Sequence, residues 1–256
     1  MAENPFFARS ALTYELPPFA AIKDEDYLPA FYEGTKAQLV EVAAIIDAIE
    51  PTTFENTIVA LEKSGQLLGR MLNVFYNKSS SDTSDVIDEI EAEIAPKLAA
   101  HSDAIQLNPK LFAKVKSLYE NRISLNLNSE DSWLLEKYYR DLVHAGAHLS
   151  EAERVQLTGI NEELSKLQTA FGKNLLNDTN DLGVLVENLV DLDGLTATEI
   201  ATASNAAKDR GHEGKYLLAM VNFTGNPLLT TLKNRELRKK IMDASLVKGN
   251  RNNEKD

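Results

Sequence analysis

The sequence predicts a mainly α protein, an elongated multi-helix region with a small antiparallel β ribbon at about 182–222. Three observations carry this reading. Apolar residues recur at spacings of three and four over most of the chain, the period of one helix face. Ser/Thr-x-x-Glu capping signatures stand where such stretches begin. Only two short β-rich runs, Val184–Val186 and Tyr216–Val221, break the pattern, each bounded by Gly or Asn.

In chain order, the arm at 1–25 holds Leu16-Pro17-Pro18-Phe19, whose fixed φ angles and missing N–H groups disfavour helix. It is expected to lie on a core by its aromatic side chains. From Asp26, the residues Phe31, Leu39, Val42, Ile45, Ile46 and Ile49 form one stripe, which Pro51 stops. Thr52-Thr53-Phe54-Glu55 reads as a capping box opening a helix through Ile58 and Leu61, with Gly65 as a break before Leu68, Met71, Leu72 and Phe75. Ser79–Ser84 reads as a polar turn. Ile87, Ile90, Ile94, Leu98, His101 and Ile105 then step by 3, 4, 4, 3 and 4, with a bend expected at Pro96.

Asn108-Pro109 pairs a good N-cap with a proline at the first helical position, ahead of Leu111, Val115 and Leu118. Ser124–Ser129 links to a helix with Trp133, Leu134, Leu135, Tyr138 and Leu142. Ser150 and Glu153 make a second capping box, before the cleanest period in the chain: Leu157, Ile160, Leu164, Leu167, Phe171 and Leu175. Thr196 and Glu199 cap a short alanine-rich helix closed by Gly211. Asn226-Pro227 opens a last helical stretch at 225–249, and the polar tail 250–256 has nothing to bury. The helical body thus covers 26–181, and the ribbon with its inserted helix 182–224.

Composition narrows the chemistry. The 256 residues include only 12 Gly and 8 Pro, so collagen-like and low-complexity architectures are excluded. Length alone allows one large core or two small ones, and one elongated unit is expected. A formal charge of −12, without a long basic block, argues against nucleic acid and anionic membranes as partners. No cysteine is present, which removes disulfides, thiolate metal sites and cysteine nucleophiles. Neither an export signal nor a membrane span is visible, and a cytoplasmic location is expected.

Candidate sites dissolve on inspection. His101 lies on an apolar stripe and is assigned to packing. His144 and His148 stand four apart, as two ligands of one metal would on a helix, but Gly146 between them places His148 in a turn. His212-Glu213 begins like H-E-x-x-H, yet position 216 is Tyr, and Gly211 and Gly214 make the segment a tight loop. The acids Asp88, Glu89, Glu91 and Glu93 fall on faces left to solvent. The basic cluster Lys233, Arg235, Arg238, Lys239 and Lys240 reads as favourable charge on a late helix. Phosphate-cradling and nucleophile-elbow motifs are absent from the sequence. No catalytic or metal-binding residue is assigned, and the residues that would touch substrate stay unassigned.

One stretch is more specific. Pro51-Thr52-Thr53-Phe54-Glu55-Asn56-Thr57-Ile58, with Ala60-Leu61-Glu62-Lys63-Ser64-Gly65 after it, resembles a segment of the zinc peptidyl-dipeptidases, or dipeptidyl carboxypeptidases, of the thimet-oligopeptidase family. The likeness continues through Val74–Asn77, Ile90–His101 and Ile160–Leu164, and later through Asn226–Leu229 and Arg235–Arg238. It implies a largely helical fold with two lobes flanking a channel, in which this chain is the N-terminal portion and supplies one wall. It also implies a parent enzyme that releases dipeptides from the free C-terminus of short peptides, with zinc held by a C-terminal catalytic lobe. No zinc is expected on this segment, which is expected to be inactive alone and to leave exposed the apolar surfaces that would face the missing lobe. The alternative is a stand-alone helical adaptor that binds a protein or peptide partner through an apolar groove.

Overall fold

The computed structural model describes residues 4–221 and 225–254, with the side chains of 225 and 226 left undescribed. The helices are α1 (Tyr27–Asp47), α2 (Ala60–Lys63), α3 (Gln66–Ser81), α4 (Asp85–Gln106), α5 (Pro109–Glu120), α6 (Ser129–Ala145), α7 (Glu151–Asp181), α8 (Ala197–Asp209), α9 (Gly225–Thr231) and α10 (Arg235–Leu246). Strands β1 (Val184–Val186) and β2 (Tyr216–Leu218) flank α8 in sequence. The mainly α reading therefore holds. The chain divides into two compact units, Met1–Leu167 and Gln168–Asp256, with α7 beginning in the first and ending in the second.

In the first unit α1 serves two cores. Its early residues Tyr27 and Phe31 pack with Met71 and Phe75 of α3 and with Ile87 and Ile94 of α4. Its late residues Val42 and Ile45 pack with Phe54, Ile58, Leu111, Val115 and Leu135. Ile58, Phe75, Ile94 and Leu135 are wholly buried, and truncating any one to alanine is expected to cost roughly 2–5 kcal/mol. Of the arm's aromatics only Phe6 is a buried anchor, 5.6 Å from the Tyr27 ring. Phe19 and Tyr14 are exposed, contrary to the expectation for that arm.

Local caps account for most helix starts. The Asn108 side chain accepts from the Lys110 and Leu111 amides, and that of Asn128 accepts from Asp131. Ser150 and Glu153 form the expected reciprocal box, as do Thr196 and Glu199. One expectation shifts. The polar turn is shorter than 79–84, because α3 runs on to Ser81 and Ser84 already caps α4. The serines at 80 and 81 are helical, and their hydroxyls donate to carbonyls one turn back. Pro96 sits inside α4, which runs through it from Asp85 to Gln106.

In the second unit β1 and β2 pair antiparallel, with Val184 opposite Leu218, Leu185 opposite Leu217 and Val186 opposite Tyr216. The ribbon is three residues long on each side, and its expected limit at 222 lies outside the described residues. Leu218, Leu192, Leu232, Leu237 and Ile241 make the core beneath it. The last helical stretch expected at 225–249 comprises α9 and α10, and Asn234 between them leaves helical geometry and caps α10 through the Leu237 amide. The tail also departs from expectation: Arg251 donates to the wholly buried Asp178 carboxylate at 2.8 Å, and the Gly249 amide donates to it at the same distance.

Candidate functional site

The segment that carries the family likeness is first of all structural. The Thr53 hydroxyl accepts from the Asn56 amide, and the Asn56 side chain accepts from the Thr53 amide. The cap is therefore Thr53 with Asn56, one residue later than the expected Thr52 and Glu55. Asn56 also donates to the Pro51 carbonyl, a bond that glutamate could not make. The wider turn at Glu55–Val59 buries Phe54, Thr57 and Ile58 together, and Gly65, at φ +70°, ends the segment where its amide donates to Glu41.

That segment also forms one wall of a cavity of about 440 Å³ in the first unit. Leu61, Glu62 and Ser64 line one side, and Trp133, Leu134 and Tyr138 of α6 the other. The Tyr138 hydroxyl donates to Glu62 Oε1 at 2.6 Å, and burial with the nearby carboxylate pushes the phenol well above its ordinary range. Lys137 on the same wall is held by Asp141 at 2.5 Å. Sequence reasoning did not find this site, because Glu62 and Tyr138 lie 76 positions apart. The available signal was Trp133, Lys137 and Asp141 at helical spacing with Tyr138 alongside.

Each expected histidine position can now be placed. His101 is buried, with Nε2 2.7 Å from Gln38 Oε1. Since that oxygen only accepts, Nε2 carries the proton, and the enclosed Nδ1 is left without a donor. Burial lowers the histidine's pKa, which favours the neutral ring. His144 lies in α6, while His148 follows Gly146, at φ +101°, in a turn. His212 and Glu213 sit in the turn between Gly211 and Gly214. Among the described residues no group of three or more His, Asp or Glu is placed to hold a metal ion. Glu91 and Glu93 accept from Ser79 and Tyr32, which ties them to the fold. Lys233 lies between α9 and α10 rather than on a helix and pairs with Asp193, whereas Lys239 pairs with Asp243 one turn on within α10.

The regular apolar stripe behind Ser150 is not core. Ile160, Leu164 and Leu167 are each about half exposed, and Phe171 further along α7 more so. A shallow apolar groove runs along Gly159, Ile160, Leu164 and Leu167, where Gly159 presents bare backbone with nothing packed over it. No helix among the described residues is long and apolar enough to cross a membrane.

No family model matches the chain. Individual relatives do. A dipeptidyl carboxypeptidase of Escherichia coli (strain K12) is 35% identical over 253 residues, covering 99% of this chain and 37% of that protein. One from Salmonella typhimurium is 36% identical over 245 residues, covering 96% and 36%. An oligopeptidase A of Salmonella typhimurium is 24% identical over 232 residues, covering 91% and 34%. The chain thus spans about a third of the length of the curated relatives it matches. Over nearly its whole length, this chain is similar in sequence to part of dipeptidyl carboxypeptidase and, more distantly, of oligopeptidase A.

Proposed function

We propose that this chain is the N-terminal wall segment of a zinc metallopeptidase that removes dipeptides from the free C-terminus of short peptides. The observation that carries the reading is the 35% identity with dipeptidyl carboxypeptidase across 99% of this chain. In this reading the arm 1–25, helical body 26–181, ribbon 182–224, last helices 225–249 and tail 250–256 form one region of a larger protein. No catalytic step is assigned to the described residues, among which no group of three or more His, Asp or Glu is placed to hold a metal ion. Their part is physical: a helical wall restricts entry to narrow, extended peptides and keeps bulk water from the reacting centre. The proposed partners are short peptides and a separate catalytic lobe, with neither nucleic acid nor membrane, in the cytoplasm.

The exposed stripe on α7 supports the reading, since apolar surface of this regularity is costly unless another surface meets it. The test is an assay of the purified chain with added zinc on a blocked tripeptide. Absence of turnover is expected, and zinc-dependent release of a dipeptide overturns the proposal. The groove along Gly159 also favours the adaptor reading. The open reading frame downstream of Asp256 separates the two: H-E-x-x-H supports the peptidase, an immediate stop the adaptor.

A further inference from the structure

The cavity between Glu62 and Trp133 combines a flat aromatic face with an uncompensated carboxylate. Trp133, the sole tryptophan of the chain, is 58% exposed although it lines the cavity, so its indole is open to a ligand. Leu61 and Leu134 make the surroundings apolar. Glu62 has no lysine, arginine or histidine nitrogen within 4 Å among the described residues, and Lys137 is engaged by Asp141. The Tyr138 hydroxyl fixes Glu62 through Oε1 and leaves Oε2 without a donor among the described residues.

We propose that this cavity binds the guanidinium group of an arginine-bearing ligand, stacked on Trp133 and paired with Glu62. A guanidinium suits the site better than an ammonium. It is planar, weakly hydrated and able to stack on an indole while its edge donates to a carboxylate, whereas an ammonium keeps its water more strongly. The formal charge of −12 favours the approach of cationic ligands in general, but only the wall selects among them. The inference does not depend on the peptidase reading, because binding is read on the chain itself.

The test titrates the full chain with N-acetyl-arginine amide, followed by Trp133 emission and by the indole N–H resonance, which reports binding even where emission is unchanged. N-acetyl-citrulline amide and N-acetyl-lysine amide serve as the neutral and ammonium counterparts. Saturable changes with the arginine compound, clearly weaker ones with the other two, and a loss of about fivefold or more in affinity for Glu62→Gln are expected. Glu62 is exposed, and circular dichroism verifies that its replacement leaves the helices intact. No saturable response at tens of millimolar, equal binding of citrulline or lysine, or an unchanged affinity in Glu62→Gln overturns the proposal.

Discussion

Replacing Gly194 with alanine tests how the second unit is closed. Gly194 follows Asp193 at φ +106°, a region that residues with a side chain rarely adopt. A Cβ there would lie 2.0 Å from the Thr231 carbonyl oxygen and 2.9 Å from its carbon, both backbone atoms at the end of α9. Neither can swing aside as a side chain could. Beside this contact, the Lys233 amide donates to the Asp193 carbonyl at 2.9 Å, so moving the loop away strains that bond as well. Gly211 is the internal control: its φ is +77°, but a Cβ there would meet nothing within 4 Å. Gly211→Ala should cost about 1–2 kcal/mol, the backbone strain alone. Gly194→Ala should add an overpacking cost, for a total of roughly 3 kcal/mol or more. Because the chain has two units, urea unfolding by circular dichroism is best accompanied by amide hydrogen exchange in α10, which reports the second unit directly. Equal destabilisation by the two variants, within about 0.5 kcal/mol, would refute the close-approach argument.

Three further outcomes follow from the geometry. Thr53→Ala should cost about 1 kcal/mol in urea unfolding and Thr52→Ala only a few tenths, and the reverse ranking would restore the earlier cap position. Arg251→Ala removes a donor from the buried Asp178 and should destabilise the second unit by about 1–3 kcal/mol, whereas a loss under about 0.5 kcal/mol contradicts the clasp. His101 gives a pH dependence of known sign: its folded pKa lies below the ordinary 6.5, so the unfolded chain takes up the proton first. Stability should therefore fall as pH drops through about 6.5 and on down to the folded pKa. His101→Asn should flatten that part of the profile, and identical profiles for variant and parent would count against a buried neutral ring.

What could be read from the residues follows the range of the interaction. Asn108, Ser150 with Glu153 and Thr196 with Glu199 cap through partners no more than three positions away, so spacing alone reveals them. The Asp178–Arg251 clasp joins residues 73 positions apart, and nothing local marks either as a partner. Periodicity identified the stripe of α7 correctly as one face but could not say whether that face is covered, because the same pattern serves a buried helix and an unpartnered one. The break at Asn234 is local as well, since its side chain caps α10 through the Leu237 amide three positions on. The dismissal of His148 and His212 as helical ligand pairs rested on neighbouring glycines, and both lie in turns beside them. The Glu62–Trp133 cavity needed the tertiary fold, since its two walls come from separate helices.

The most direct test is an immunoblot of the source cells with an antibody raised against this chain. Because the chain covers 37% of its dipeptidyl carboxypeptidase relative, the account predicts a band at roughly two to three times its own 28.3 kDa, co-purifying with zinc-dependent release of dipeptides. A single band at 28.3 kDa, with no larger species, would contradict it.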